Sequence, residues 1–251
     1  MNDLFISPRS PSDFIIVDDD IDFEWSVNDS INGFDLHLDG GELSFSEHFF
    51  SQTVCQRFIA LLQENDWKNW REVDWSAVAS DAIEEINFKN INWKQDYIRF
   101  FGKTVPLPRL TAWYGDAGAS YKYSGIQSDP NPWNEGLLYI RDKIQDRTGA
   151  RFNSVLLNWY RDGSDSLSWH ADDEKELGPQ PTIASASFGS TREFVFKPKN
   201  AANRRLKLRL ASGSLVIMSG KTQENWVHSV PKRKSARGSR FNLTFRQIDQ
   251  I

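Results

Sequence analysis

One short segment, SLSWHADDEKELG at residues 166–178, places a histidine and an aspartate at a spacing that suits metal binding. In a β-strand, residues i and i+2 point to the same face, so His170 and Asp172 would present an imidazole beside a carboxylate. Two such ligands and a second imidazole form the facial triad that holds Fe(II) and leaves coordination positions open. An ordinary acidic loop is the alternative, because Asp173 and Glu174 follow directly.

The second imidazole has few candidates, because the chain contains only four histidines. His37 lies in an acidic N-terminal stretch, and His48 lies in a predicted helix where a structural role is expected. His228, in NWVHSV, falls on a predicted strand far enough downstream for the chain to return beside His170. The sequence therefore favours His170, Asp172 and His228 as a metal-binding set.

The segment RFNLTFR at residues 240–246 has two different faces if it forms a strand. One face is hydrophobic and suits a core. The other face is polar and consists of Arg240, Asn242, Thr244 and Arg246. Like charges on one strand face are unfavourable unless an anion lies between them, and a dicarboxylate would satisfy both arginines. The alternative for this strand is a solvent-facing edge strand with scattered polar groups. Asn158 and Tyr160 alternate in the same way upstream and would donate hydrogen bonds to the same acid. The alternative for these two residues is an ordinary strand end before a turn.

The bulk composition limits the kind of protein that must hold these residues. A chain of 251 residues with 39% hydrophobic content is long enough for one large domain, or one domain with an extension. The single cysteine, Cys55, excludes an intrachain disulfide and fits a reducing compartment. We find no signal peptide or membrane-spanning run, so we expect a soluble, intracellular protein.

Charge is segregated along the chain although its net value is only -4. Residues 1–50 contain twelve acidic residues against Arg9, whereas residues 196–251 contain thirteen Lys and Arg against two acidic residues. A locally positive surface is therefore compatible with the low pI, and a nucleic-acid partner is not excluded. A solvated basic loop is the alternative. The acidic arm could shield the basic face or recruit a partner, and both interpretations remain open.

The N-terminal part of the chain reads as an extension followed by helices. We expect residues 1–43 to form an acidic, flexible extension and residues 44–95 a helical region. The first helix is predicted to begin at a capping box formed by Ser44 and Glu47. A second helix is predicted over residues 76–86.

Residues 96–151 predict both strands and a helix, whereas residues 152–251 predict mainly strands. Residues 96–151 predict hairpins and an amphipathic helix that ends at Gly149. Residues 152–251 contain eight short β-rich runs separated by turns, which predict a sandwich or barrel with helices outside it. The fold class expected from these patterns is α+β.

Several separated motifs together resemble the AlkB family of Fe(II)- and 2-oxoglutarate-dependent dioxygenases. They are NWYRDGSDSLSWHADDE, ASASFGSTREFVFK, HSVP and RFNLTFR, in this order. The upstream stretch FFGKTVPLPRLTAWYGDAGASYKYSG is similar to the branch that includes the animal nuclear DNA-repair members. The resemblance covers residues 96–248, and residues 66–92 look like an addition to the family pattern. It implies a double-stranded β-helix (jelly-roll) core with an N-terminal α/β extension packed outside it.

The resemblance also implies a cofactor, two co-substrates and a reaction. His170, Asp172 and His228 match the Fe(II) ligands, and O2 and 2-oxoglutarate are the co-substrates. The residues that match the 2-oxoglutarate site are Arg240 and Arg246 with Asn158, Tyr160, Asn242 and Thr244. The implied reaction hydroxylates the methyl group of bases such as 1-methyladenine and 3-methylcytosine in DNA, so that formaldehyde leaves. RNA, a protein side chain or a small molecule is the alternative substrate, and a non-catalytic nucleic-acid binder is a third reading.

The resemblance further implies that residues 96–151 form a nucleotide-recognition region and that the protein has a base-flipping substrate site. Phe101 matches a residue that fills the gap left by the flipped base, at a turn with Gly102 and Lys103. Tyr121 and Tyr123 match positions near that base, Asp173 and Glu174 match acidic residues that favour a cationic base, and Arg109 is a pocket or phosphate contact. We expect Trp169 in the core. The basic residues expected at the nucleic-acid backbone are Lys232, Arg233, Lys234 and Arg237. The chain is expected to act as a monomer, in the nucleus if eukaryotic and in the cytoplasm if bacterial.

Overall fold

Two β-sheets face each other and form the centre of the fold. The computed structural model describes residues 15–17, 23–100, 102–119, 121–123, 126–201 and 204–249, so Phe101 lies outside the described residues. The strands are β1 Ile15–Val17, β2 Phe23–Asn28, β3 Gly33–Leu38, β4 Gly41–Ser46, β5 Tyr97–Phe100, β6 Lys103–Pro106, β7 Leu110–Gly115, β8 Tyr121–Tyr123, β9 Ile126–Ser128, β10 Asn131–Pro132, β11 Ser154–Tyr160, β12 Leu167–His170, β13 Ile183–Gly189, β14 Arg192–Pro198, β15 Leu206–Leu210, β16 Leu215–Ser219, β17 Trp226–Val230 and β18 Arg240–Arg246.

In the described part of the chain, four α-helices and two short 3-10 helices connect these strands. The α-helices are α1 Gln52–Gln63, α2 Ser80–Glu84, α3 Glu135–Thr148 and α4 Thr222–Asn225, and the 3-10 helices are Trp70–Glu72 and Lys175–Leu177. Among the described residues, no helix has the length and apolar character that crossing a membrane requires.

The larger sheet has nine strands and the smaller sheet has five. Their orders are β10-β7-β11-β18-β13-β16-β4-β3-β2 and β1-β15-β14-β17-β12. The hydrophobic core between the sheets joins residues such as Leu36 and Met218 of the larger sheet to Phe196 and Leu208 of the smaller. All eight β-rich runs predicted within residues 152–251 form strands, and the jelly-roll core is confirmed.

Helices α1 and α3 cover the outer face of the larger sheet. Phe58 and Leu62 of α1, and Ile140 of α3, belong to one buried cluster with Phe241 and Phe245 of β18. The hydrophobic face of RFNLTFR therefore packs under helices, which leaves its polar face to point between the sheets. Helix α3 ends at Gly149 as predicted, where a φ of 71° suits a residue without a side chain.

The N-terminal region differs from the predicted flexible extension. Strands β2, β3 and β4 extend the larger sheet through the pairing of β4 with β16, and β1 pairs with β15 in the smaller sheet. Leu36 and Phe45 are completely buried between the sheets. The expected extension outside the core therefore contributes strands to both sheets, because its alternating hydrophobic residues complete the core despite the many aspartates.

The predicted starts and lengths of the first two helices are also wrong. Ser44 belongs to β4, and α1 begins only after Ser51, whose hydroxyl accepts a hydrogen bond from the Val54 amide at 3.4 Å. The capping-box pattern competes here with cross-strand pairing, and burial of alternate β4 residues outweighs one cap. Helix α2 covers only Ser80–Glu84 of the predicted residues 76–86.

The burial of β3 generates a stability prediction. Leu36→Ala should lower the free energy of unfolding by about 2–5 kcal/mol, because it removes a fully buried side chain from between the sheets. Urea denaturation measures the change. Val27→Ala, on the exposed β2 edge, is the control and should stay within about 0.5 kcal/mol of the original chain. Equal stability of the two variants would restore the interpretation of a detached extension.

Candidate active site

Two neighbouring strands of the smaller sheet bring the two histidines together. Strand β12 pairs antiparallel with β17, and His170 lies directly opposite His228. Their ring centroids are 4.3 Å apart in an edge-to-face arrangement. The Nδ1 atom of His170 lies 2.9 Å from the Ser168 carbonyl oxygen, an interaction that orients the other ring nitrogen toward the site.

Asp172 completes a compact cluster with these histidines. Its two carboxylate oxygens lie 3.9 Å from the Nε2 atoms of His170 and His228 respectively. The ligand atoms of the three residues all lie within 4.8 Å of one another. Asp172 lies two residues after His170, the last residue of β12, so the strand places His170 while the irregular segment after it places the carboxylate. Two imidazoles and one carboxylate on one side of a site are a donor set that suits Fe(II).

Contacts from two other elements hold Asp172. Arg246 Nη2 donates a 2.8 Å hydrogen bond to Asp172 Oδ1. The Asp172 backbone amide donates a 2.9 Å hydrogen bond to Oε1 of Gln223 in α4. Gln223 is buried and escaped the sequence analysis, because nothing in its spacing relates it to a residue far upstream.

The charges in this cluster favour a metal over protons. Burial alone would raise the pKa of Asp172, but the charges of Arg246 and of the two histidines lower it to about 2. Burial, together with the neighbouring His170, lowers the pKa of His228 to about 3. Both groups are therefore deprotonated at neutral pH, which is the form that binds a metal ion.

A polar face of the larger sheet lies beside the cluster, in contact with it through Arg246. It is formed by neighbouring strands β11, β18 and β13, and its residues are Asn158, Tyr160, Ser185, Ser187, Arg240, Asn242, Thr244 and Arg246. Asn242 uses its amide group to donate to Ser185 and to the Ala186 carbonyl, and it accepts a hydrogen bond from Thr244. These two residues therefore connect the strands internally.

Arg240 is the residue of this face that fits an external acid. It is 2% exposed, and its Nη2 donates a 2.9 Å hydrogen bond to Ser187. Within the described part of the chain, Nε and Nη1 of Arg240 and the Tyr160 hydroxyl are buried without hydrogen-bond partners. Burial lowers the pKa of Arg240 to about 10, which still leaves it charged at neutral pH. A buried cation with unused donors is costly unless an anion binds, so these residues fit a carboxylate.

Arg192, on β14 of the smaller sheet, packs against Tyr160 of this face, and the sequence analysis did not identify it. Its guanidinium carbon lies 5.7 Å from the centroid of the Tyr160 ring, while that of Arg240 lies 5.1 Å from it. Arg192 also donates hydrogen bonds to the carbonyl groups of Asp162, Asp165 and Pro231. It thereby ties the loop after β11 to the loop after β17.

The predicted substrate residues fall at different depths. Arg109 is buried and donates a 2.7 Å hydrogen bond from Nε to Asn158 Oδ1, so its side chain lies next to the polar face of the larger sheet. Asp173 is exposed and forms a 3.2 Å ion pair with Lys199. One carboxylate oxygen of Glu174 is buried, and no described residue donates a hydrogen bond to it.

The hairpin residues lie in short two-stranded sheets. Gly102 adopts a φ of 77° at the exposed turn between β5 and β6, and Lys103 begins β6 beside it. Tyr121 and Tyr123 are the ends of β8, which pairs with β9. Phe101 lies outside the described residues, so its predicted place stays a prediction.

Comparison with known proteins identifies similar sequences. The family model described as the 2OG-Fe(II) oxygenase superfamily matches residues 73–246. Mouse DNA oxidative demethylase ALKBH2 is 38% identical over 205 residues, which cover 74% of this chain and 86% of that protein. Mouse alpha-ketoglutarate-dependent dioxygenase alkB homolog 3 is 43% identical over 71% of this chain, and the match spans 62% of its own length. Human ALKBH2 is 45% identical over 60% of each chain.

A solved structure shares the fold. The protein OsALKBH1 superimposes with a TM-score of 0.50 over 83% of this chain and 96% of its own, at 18% sequence identity. At that identity the likeness concerns the fold alone.

The contact to Asp172 generates a metal-binding prediction. Gln223→Ala should weaken binding of Mn(II), a redox-stable probe, by about 10- to 100-fold, because the backbone of a ligand loses its support. His228→Ala should abolish binding, and His37→Ala, an exposed histidine of β3, is the matched control. Electron paramagnetic resonance titration measures free Mn(II). Unchanged binding in His228→Ala would show that the cluster is not the metal site.

Proposed function

Because the chain belongs to the 2OG-Fe(II) oxygenase superfamily and within it to the AlkB family, we propose that it oxidatively demethylates alkylated bases in DNA. The expected substrates are bases of the 1-methyladenine and 3-methylcytosine type, and the reaction would restore the normal base by direct reversal. The cofactor of the family is Fe(II), and its co-substrates are 2-oxoglutarate and O2.

One structural observation gives this proposal its strongest support. The metal-binding cluster and the buried, unsatisfied Arg240 lie on facing sheets, and the Arg246–Asp172 ion pair joins them. A metal ion and a dicarboxylate could therefore bind next to each other, which is the requirement of a reaction that uses both.

The cluster would hold the metal on one side only. His170, Asp172 and His228 would supply three ligands and leave the opposite positions for the co-substrates. When bound, Fe(II) supplies the redox chemistry that couples oxidative decarboxylation of 2-oxoglutarate by O2, giving succinate and CO2, to hydroxylation of the methyl carbon. Ser168 and Gln223 would keep His170 and Asp172 oriented, as their hydrogen bonds do in the protein alone.

The polar face would bind and orient 2-oxoglutarate. Arg240 would pair with the carboxylate farther from the metal, and the Tyr160 hydroxyl would donate to the same group. Asn158 has its carbonyl occupied by Arg109, so its amide group is the part left to donate. Arg246 would hold Asp172 in its ionised form next to the carboxylate nearer the metal.

The acidic residues beyond the cluster would select the base. A 1-methyladenine or 3-methylcytosine base is cationic, and the buried carboxylate oxygen of Glu174 would stabilise that charge. Asp173 would contribute less while Lys199 neutralises it. Hydroxylation of the methyl carbon gives an unstable N-hydroxymethyl group, which releases formaldehyde and leaves the unmodified base.

An assay with defined oligonucleotides tests the proposed reaction. The protein, loaded with Fe(II) without oxygen, receives 2-oxoglutarate, air and DNA that carries 1-methyladenine or 3-methylcytosine. Mass spectrometry should show loss of the methyl group, and His170→Ala, which removes one metal ligand, should show none. Comparing the rates of demethylation of single and double strands of the same sequence shows which form the protein prefers.

The products that form distinguish a wrong substrate assignment from an absent oxygenase activity. Succinate formation with an intact methylated base would keep the oxygenase activity but reject the base substrate, so that RNA, protein or small molecules become the next candidates. Absence of both reactions in a protein with confirmed bound iron would favour a non-catalytic binder.

The buried guanidinium of Arg240 generates a separate prediction. Arg240→Met should raise the KM for 2-oxoglutarate at least about 30-fold, because losing one partner of a buried charge pair costs roughly 2–5 kcal/mol. The metal affinity should stay within about twofold, since Arg240 does not contact the cluster. Arg209→Met, at an exposed position of β15, is the control and should leave the KM unchanged. An unchanged KM in Arg240→Met would remove Arg240 from the co-substrate site.

A further inference from the structure

The outer face of the smaller sheet carries a tryptophan among cations, on the side away from the metal cluster. Sequence reasoning expected Trp169 in the core, but its side chain is 38% exposed. The reason is strand alternation, because His170 points between the sheets and its neighbour must then point outward. Nζ of Lys197 lies 4.5 Å from the centroid of the Trp169 ring, and Cζ of Arg205 lies 6.0 Å from it.

A groove of about 410 Å³ runs from this tryptophan across the outer face. We call this groove with Lys197 the outer basic face; the side chains that define it are Trp169, Lys197, Arg205, Lys207, Lys232 and Arg233. Glu193 is the single acidic residue that lines the groove, and it is already paired with Arg233.

The other cations of this face lack acidic partners among the residues that the structure describes. No carboxylate of the described chain lies within ion-pair distance of Lys197, Arg205, Lys207 or Lys232. Like charges on adjacent strands repel, so their concentration here is unfavourable without an external anion. The face is therefore suited to a polyanion.

We propose that the outer basic face binds a single-stranded segment of nucleic acid, with a base stacked on Trp169. Base stacking on an aromatic ring combined with cations along the backbone is the usual basis of single-strand binding. Lys197 lies over the face of the Trp169 ring, and Arg205 lies farther out on it. A base that stacks on this face would displace the flexible Lys197 side chain toward the flanking phosphates, where both cations would be within reach. A duplex keeps its bases stacked on one another, so it could use the cations but not the tryptophan.

The position of Trp169 defines which nucleotides would bind. The tryptophan and the metal ligand His170 are neighbours on one strand but lie on opposite faces of the sheet. The nucleotides bound here would therefore be different from the one whose base enters the site. The inference rests on the proposed function only in taking nucleic acid as the partner. It adds a second surface for that partner, apart from the active site.

Binding of unmethylated single strands tests the inference without any catalysis. We expect Trp169→Ala to weaken binding of a thymidine oligonucleotide of about 20 nucleotides by about tenfold, a typical effect of losing one stacked base. Lys207→Gln should lower the slope of log affinity against log salt by about 0.7, the value for one phosphate contact on a single strand. Fluorescence polarisation of the full chain measures both quantities.

Matched variants elsewhere on the surface provide the controls. Trp25→Ala removes another exposed tryptophan, 48% exposed on the β2 edge, and Lys143→Gln removes an exposed lysine of α3. Neither should change affinity or salt slope. Equal affinities of Trp169→Ala and Trp25→Ala would overturn the stacking site. A loss in Trp169→Ala that is as large for a hairpin duplex as for the single strand would also overturn it.

A comparison of substrate lengths separates this inference from the proposed function. If methylated DNA is demethylated, the preference of the original chain for a 20-nucleotide substrate over a trinucleotide should fall about tenfold in Trp169→Ala. If no methylated DNA reacts, the proposed function fails, but the polarisation experiment still decides the outer basic face. If the protein demethylates DNA but Trp169→Ala changes neither the length preference nor the single-strand affinity, the proposed function stands and the stacking site on Trp169 is rejected.

Discussion

The ion pair between Arg246 and Asp172 is the contact on which the arrangement of the site depends, because it joins the two sheets beside the metal cluster. Arg246 ends β18 of the larger sheet, whereas Asp172 follows β12 of the smaller sheet. An isolated buried carboxylate is unfavourable, so the sheets must meet in the register that brings these two groups together. A slip of β18 by one residue would turn Arg246 toward the helices and leave Asp172 without its charge partner.

The part of the site that could be predicted from sequence depends on short-range alternation. The RFNLTFR strand has period two, so its polar and hydrophobic faces can be read without knowing its neighbours. The same rule predicted the eight strands after residue 152, since each is short and bounded by turn residues. Alternation cannot supply the partner of each strand. The return of His228 beside His170 could be expected from the few histidines, but the register that sets the two directly opposite each other is visible only in the structure.

The parts that escaped prediction depend on contacts between distant residues. Strands β2 to β4 lie in an aspartate-rich stretch, and only their pairing with β16 makes Leu36 and Phe45 buried. Gln223 supports Asp172 across a separation of 51 residues, and Arg192 reaches three carbonyl groups of two loops. Hydrogen bonds of this kind leave no periodic signal, because glutamine and arginine at single positions are equally common on ordinary surfaces.

Strand β12 shows how one short element can serve two surfaces at once. Its four residues contribute His170 to the interior and Trp169 to the outside, and the pairing of His170 with His228 fixes both orientations. Leu167 packs against the core between the sheets although it lies three residues from His170, because the pairing shifts register between these two residues. A base stacked on Trp169 would lie one residue from a metal ligand, while the sheet keeps the two side chains on opposite faces.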